Sequence, residues 1–324
     1  MSKDIFVVVE QRNGVIQKVG IELLGEAQKL AKDLGEDVVA VLMGSKIKDQ
    51  AQSLIDYGAS RVLVVDDPVL EYYTTEPYAK ALTHIIKTYE PNIVLYGASS
   101  IGRDLAPRVA GRVHTGLTAD CTKLSIDPET KLLQMTRPAF GGNIMATIMT
   151  PNHRPQMATV RPKVFKKAPP DPKRKGQVLL EALKLIAPQT KLVKTIKDAE
   201  SVDIAAHDIL IAGGRGLKKE ENFKQLFRLA ELLGGEVACS RAVVDAGWAP
   251  VARQVGQTGK TVAPKLYLCF GISGAIQHLE GIRGADTIIA VNSDPNAPIF
   301  GVADLGIVGD LFEIVPALIK ELEK

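Results

Sequence analysis

SRAVVDAGWAPVARQVGQTGKTVAPKLYLCFGISGAIQH, residues Ser240 to His278 of a 324-residue chain, is unlike the apolar packing sequence on either side of it. Five glycines, Gly247, Gly256, Gly259, Gly271 and Gly274, alternate with Ser240, Arg241, Arg253, Gln257, Thr258, Ser273, Gln277 and His278. One apolar run, Leu266 to Phe270, interrupts them. Glycine lets a backbone approach another molecule closely. Hydroxyls, amides, an imidazole and guanidinium groups supply many hydrogen-bond donors. The stretch therefore predicts one wall of a pocket for a large, polar, phosphorylated ligand. Leu266–Phe270 running into Gly271-Ile272-Ser273-Gly274 and a short helix, 275–279, is also a strand–turn–helix unit, which points to a parallel α/β sheet.

Outward from this unit, the C-terminal half repeats the pattern. A strand over 208–212 runs into Gly213-Gly214-Arg215-Gly216, and a helix over 219–233 closes at Gly234-Gly235. A short strand, 237–239, leads to Ser240-Arg241. A strand over 287–292 ends at Asn292, and 304–310 ends at Asp310 before a final helix, 311–323. In a parallel sheet, ligands bind outside the carboxyl ends of the strands. Five such ends here carry polar or glycine residues: Arg215, Ser240-Arg241, Ser273-Gly274, Asn292 and Asp310. Backbone N–H groups at Gly-Ile-Ser-Gly-Ala suit a pyrophosphate. Arg215 and Arg241 bring charge and fork geometry. Asn292 and Asp310 suit ribose hydroxyls or an adenine edge. Val255-Gly256-Gln257-Thr258-Gly259 offers an amide and a hydroxyl to a heterocycle. Neither G-x-G-x-x-G at a strand–helix turn nor G-x-x-x-x-G-K-[ST] is present, so this is neither the standard dinucleotide fingerprint nor a P-loop.

The N-terminal half alternates strand and helix. Strands are expected at 5–10, 38–43, 61–66 and 93–96, with helices at 21–34, 48–57, 75–89 and 105–111. Gly97 to Arg103 (GASSIGR) is a βα turn, of the kind that binds anions in some α/β folds. Residues 115–164 read as extended hairpins, with turns at Asp127-Pro128 and Gly141-Gly142-Asn143, forming an antiparallel edge on the sheet. Lys166 to Gly176 is rich in proline and lysine and reads as a surface loop or the start of a linker reaching to 204. The boundary is placed near Asp198, giving domains 1–198 and 199–324. The fold class is thus α/β in two domains, each a mostly parallel sheet flanked by helices, the second Rossmann-like.

Composition narrows the function. Hydrophobic residues make up 46% and charged residues 24%, an ordinary globular balance. A net charge of +3 gives no reason to invoke nucleic acid. Three cysteines, far apart and without a C-x-x-C pair, argue against a disulfide framework or a metal cluster. No segment reaches the apolar length of a membrane span or a signal-peptide core, so a cytoplasmic protein is expected. No nucleophile–base pair or acid–base dyad is visible, which hands the chemistry to a cofactor.

SRAVVDAGW, QVGQTGK, GISGAIQH, NSDPNAPIF and VADLGIVGDLF resemble the C-terminal domain of the α subunit of electron-transfer flavoprotein, the FixB type. The resemblance runs from about Asp208 to the C-terminus. More loosely, VVVEQRNGVIQKVGIELLGEAQKLA is similar to α subunits of anaerobic bacteria. The resemblance implies a heterodimer with a β subunit that holds AMP or a second FAD. It implies one FAD on this chain, bound by Arg215, Ser240, Arg241, Val255, Gly256, Gln257, Thr258, Ser273, Gly274, Ala275, Ile276, Gln277, His278, Asn292, Asp310 and Leu311. Arg241 would lie against the isoalloxazine ring and favour its reduced, anionic forms. Thr258 would bond near N5 and His278 near the O2 edge, while 273–276 hold phosphate. Arg253 is a further cation beside the flavin loop, read either as a tuning charge or as a solvated loop arginine.

The implied function is electron exchange with partners of the acyl-CoA dehydrogenase type, the flavin domain swinging on its linker. In the bifurcating version, NADH is oxidised on the β subunit and ferredoxin or flavodoxin is reduced. Arg137 to Gly142 is then the loop that meets the second flavin. A non-bifurcating flavoprotein, and an NAD-binding enzyme or sensory module of similar topology, are the alternatives.

Overall fold

A computed structural model describes residues 2–139, 144–185, 189, 190, 192–194 and 202–323. The chain divides into two units, Met1–Thr195 and Ile196–Lys324. The boundary expected near Asp198 lies outside the described residues.

In the first unit the order is β1 (Ile5–Val9), β2 (Gln11–Arg12), β3 (Val15–Ile16), α1 (Lys18–Leu34), β4 (Val38–Gly44), α2 (Ala51–Asp56), β5 (Arg61–Asp66), α3 (Thr75–Tyr89), β6 (Ile93–Gly97), α4 (Ser100–Val113), β7 (Leu117–Cys121), β8 (Lys123–Ile126), β9 (Leu133–Ala139), β10 (Ile144–Ile148), β11 (Gln156–Val160) and β12 (Gln177–Leu180). Seven of these strands form one sheet, β12-β5-β4-β1-β6-β11-β7, parallel throughout. Its central strands are continuous apolar runs because both faces are covered. Ile5, Val7 and Val9 of β1 pack with Leu23, Leu24 and Leu30 of α1. Phe6 and Val8 point the other way, to Leu82 and Ile85 of α3 and Leu105 of α4.

Three expectations are corrected here. The hairpin strands β8, β9 and β10 do not extend the main sheet. They form an antiparallel sheet of their own, while β7 and β11 enter the large sheet in parallel. The turn expected at 141–143 lies outside the described residues. The segment expected as the start of a linker is tied to the first unit. Asp171 N–H donates to Asp56 O at 2.9 Å, Arg174 Nη1 donates to Gln28 Oε1 at 2.7 Å, and β12 pairs with β5 over Gln177–Leu180. Lastly, α4 starts at Ser100, five residues before the expected helix, because Ser99 caps it.

In the second unit come β13 (Ile209–Gly213), α5 (Phe223–Leu233), β14 (Glu236–Cys239), α6 (Arg241–Asp245), β15 (Leu266–Phe270), α7 (Ile276–Leu279), β16 (Ile288–Asn292), β17 (Leu305–Val308) and α8 (Leu311–Leu322). The strands form a parallel sheet in the order β14-β13-β15-β16-β17. One face is covered by the long helices α5 and α8 through Leu226, Leu229, Leu311 and Val315. The other is covered by loops and the one-turn α7, through Val255, Val262, Ile272, Ile282 and Ile299. From β13 the chain moves to β14 on one side and then to β15 on the other. The switch point of the sheet is therefore the crevice between β13 and β15, where doubly wound sheets take their ligands.

Candidate functional site

At that crevice the structure has a cavity of about 650 Å³. The carboxyl ends of β13, β14, β15 and β16 all reach it, which brings Arg215, Ser240, Ser273 and Asn292 together. The two turns at the switch point are stitched edge to edge. Gly214 N–H donates to Phe270 O at 2.9 Å and Gly216 N–H to Gly271 O at 3.1 Å. Arg215 then projects outward, exposed, with no ion pair among the described residues.

The turn after β15 forms one side. Gly274 has φ +90°, and a Cβ there would lie 2.4 Å from Ile299 N, so only glycine fits. Ile299 N–H donates to Ser273 O at 3.0 Å, which fixes the turn from behind. Among the described residues nothing accepts from the backbone N–H groups of Ser273, Gly274 or Ala275. These N–H groups, with Arg215, are a donor set for phosphate oxygens.

The loop after β14 forms the opposite side. Val255 N–H donates to Cys239 O at 2.9 Å and Gln257 N–H to Gln277 O at 2.7 Å. Gln257 and Thr258 are thereby exposed on the cavity wall. Arg241 opens α6 and borders the same wall, with Nε 3.4 Å from Asp245 Oδ2 one turn on.

His278 is almost fully buried. Its Nδ1 lies 3.1 Å from Val255 O, an acceptor, so Nδ1 carries the proton and donates. Nε2, 2.9 Å from the Tyr267 hydroxyl, then accepts. Burial lowers its pKa to about 4, and the imidazole is neutral at pH 7. Both ring nitrogens have partners within the protein, and the residue borders the cavity.

Four expected residues do not line the cavity. Arg253 Nη1 donates to Glu236 Oε1 at 2.8 Å and to Val237 O at 2.7 Å, and its guanidinium lies 4.9 Å from the Phe227 ring centroid. It braces β14 against α5 and is neither a flavin-side cation nor a solvated loop residue. Burial pushes the Glu236 carboxyl upward, but the bonds from Arg253 and Val237 outweigh it and hold its pKa below the usual range. Asp310 turns its carboxylate onto Phe312 N–H at 2.9 Å and caps α8. Leu311 is buried behind the turn, where a Cβ on Gly271 would meet its Cδ2 at 3.0 Å. Ile276 faces solvent at the start of α7. Asn292 does reach the cavity, but its amide holds neighbouring turns. Nδ2 donates to Ile272 O, and Oδ1 accepts from Asp294 N–H, each at 3.0 Å.

Arg215, Ser240, Arg241, Val255, Gly256, Gln257, Thr258, Ser273, Gly274, Ala275, Gln277, His278 and Asn292 all border the cavity. Asp245 and Gln254 border it too, and the sequence reading missed both. Asp245 could have been found, being four residues beyond Arg241 on one helix face. Nothing in the sequence marks Gln254. Among the described residues no group of side chains suits a metal ion, and no helix is long and apolar enough to cross a membrane.

Comparison with known proteins agrees with this geometry. Residues 5–185 match the electron transfer flavoprotein domain, and 203–283 match the electron transfer flavoprotein FAD-binding domain. The α subunit of electron transfer flavoprotein from Thermoanaerobacterium thermosaccharolyticum is 53% identical over 99% of this chain and 98% of its own length. This chain belongs to the electron transfer flavoprotein α-subunit family. Another member, the α subunit from Megasphaera elsdenii, is 51% identical over 99% of this chain and 97% of its own. The lactate dehydrogenase (NAD(+),ferredoxin) subunit LctC of Acetobacterium woodii is 44% identical over 99% of this chain and 77% of its own. The cofactor of the matched C-terminal domain is FAD. The cavity fits it in size and donor set.

Proposed function

We propose that this chain is the FAD-carrying α subunit of a cytoplasmic, heterodimeric electron-transfer flavoprotein, exchanging electrons with dehydrogenases of the acyl-CoA dehydrogenase type. We propose further that the pair is bifurcating: a β subunit with a second FAD oxidises NADH and sends electrons to ferredoxin or flavodoxin as well. The cavity at the β13–β15 switch point carries the first part, because its two walls differ in chemistry as the two ends of FAD do. The similarity to LctC, a subunit of a lactate dehydrogenase (NAD(+),ferredoxin), supports the second.

Bound FAD supplies the electron-accepting and electron-donating chemistry. The backbone N–H groups of 273–275 and Arg215 bind the diphosphate end and fix register. Arg241 places a cation at the cavity wall, where it would stabilise negative charge on a bound flavin ring. Asp245 sets the resting position of that guanidinium. Thr258 would offer a hydroxyl to the ring. The neutral, doubly bonded His278 holds the 255 loop and α7 together, so the ring wall stays in shape when the charge on the ring changes. In the first unit Arg137 lies in β9, two residues before its end, at the base of the loop proposed to face the second flavin. Phe140, Gly141 and Gly142 of that loop lie outside the described residues.

Flavin and nucleotide content per heterodimer decides the bifurcating reading. Two FAD per pair, with NADH-driven ferredoxin reduction, is the expected result. One FAD plus AMP, with no such reduction, would leave a simple electron carrier. Arg241→Ala should make reduction of the bound flavin harder by on the order of 1 kcal/mol. An unchanged midpoint potential would remove the role given to that arginine.

A further inference from the structure

Gln254 is 5% exposed yet borders the FAD cavity. Its backbone is pinned on both sides. Its N–H donates to Val251 O at 2.9 Å, and its carbonyl accepts from Lys260 N–H at 2.8 Å. Gly259 closes the loop directly over it, where a Cβ would lie 2.4 Å from Gln254 O. From this fixed base the side-chain Nε2 donates to Thr258 Oγ1 at 3.0 Å.

That bond has a directional consequence. A threonine hydroxyl has one proton to give and lone pairs to receive with. The Gln254 amide fills the lone pair facing the loop. Among the described residues no protein group accepts from the Thr258 hydroxyl, and the residue is exposed on the cavity wall. Its proton is left to point into the cavity.

We infer that Gln254 is a positioning residue, buried beneath the ring wall, that makes Thr258 a hydrogen-bond donor toward the flavin. The inference rests on the reading that the flavin ring lies against Thr258. The preferred ligand atom is then an acceptor, such as an unprotonated ring nitrogen, rather than an N–H. Gln254 itself does not touch the reacting atoms, and it acts through the hydroxyl. Were the amide turned the other way, its oxygen would accept the threonine proton and the cavity would lose the donor.

A double-mutant cycle on the FAD-loaded protein tests this, with Gln254→Met, Thr258→Val and the two combined. Gln254→Met keeps the volume and removes the N–H. The readouts are the midpoint potential of the flavin, the shape of its visible absorption band and the dissociation constant for FAD. Gln254→Met and Thr258→Val should shift the potential and the band in the same direction, each with about five-fold weaker FAD binding. In the Thr258→Val background, Gln254→Met should add nothing. Gln254→Asn, too short to reach Thr258, is the second variant and should reproduce Gln254→Met if that protein folds poorly. Additive shifts, or no shift in either Gln254 variant, overturn the proposal while leaving the flavin reading intact. An unchanged flavin in Thr258→Val alone overturns that reading and the proposal with it.

Discussion

Each sheet ends a strand in a glycine-containing turn that opens a helix, and the two turns meet opposite fates. After β6, Ser99 caps α4 by accepting from Gly102 N–H at 3.1 Å, and it donates to the Glu10 carboxylate. Arg103 Nε donates to Ala98 O at 2.9 Å, and Arg12 Nη2 donates to Ser100 Oγ at 3.2 Å. The space beside this turn is about 20 Å³, walled by Tyr73, Tyr78 and Tyr96, enough for a single water. After β15 the turn keeps free N–H groups and faces about 650 Å³. The comparison shows that free N–H groups alone do not make a strand–turn–helix unit an anion site: it also needs space beside the turn and a favourable neighbouring charge. In the first unit Glu10, on the neighbouring strand end, accepts from the Ser99 hydroxyl and places a repelling charge beside the turn. In the second unit the adjacent strand end brings Arg215 instead.

The largest test of this contrast is a pair of glycine substitutions. Gly274→Ala puts a Cβ into Ile299 N at a φ of +90°, and it should cost about 2–4 kcal/mol and abolish FAD retention. Gly102→Ala drives a Cβ to 1.8 Å from Gly97 O and should destabilise the first unit comparably, without changing FAD affinity in the folded fraction. Urea unfolding with FAD titration reads both, and equal loss of FAD would break the comparison.

Next comes the pH dependence of the second unit. His278 titrates near 4 in the fold and near 6.5 when unfolded, because burial disfavours its charged form. Between those values the unfolded chain binds more protons, so stability present above about pH 6.5 is lost as pH falls toward 4, about 3 kcal/mol in full. His278→Gln should flatten that slope. Parallel urea midpoints for wild type and variant from pH 7 to pH 5 would rule the histidine out as its source.

The smallest effect is expected at Arg253. Arg253→Gln breaks the pair with Glu236 and should cost about 1–2 kcal/mol of stability, with FAD affinity unchanged within two-fold. A large loss of affinity would return Arg253 to the flavin side of the unit.

Much of this was legible because local patterns sufficed. Continuous runs such as IFVVVE and VVAVLM mark strands buried on both faces. Glycines and hydroxyls after LYLCF mark a ligand turn. What was not legible depends on which way side chains turn and which partners folding brings to them. Asp310 sits at a strand end as Asn292 does, yet caps its own helix, and the sequence cannot say which way an Asx side chain turns. Arg253 reads like Arg241, but Glu236 and Phe227 claim it. Gln177–Leu180 is four residues whose strand identity comes from the open edge of β5. The polar face of Gln254 is visible only once Thr258 is folded over it.

The sequence by itself determined the α/β class, the two halves, the family and the segments that build the cavity. These follow from hydrophobic period and from turn chemistry, both properties of neighbouring residues. Only the tertiary structure decided which polar groups remain free to act. A donor is available to a ligand when no other group reaches it, and that is settled by side-chain orientation and packing, whether the partner is two residues away, as for Asp310, or 17, as for Arg253.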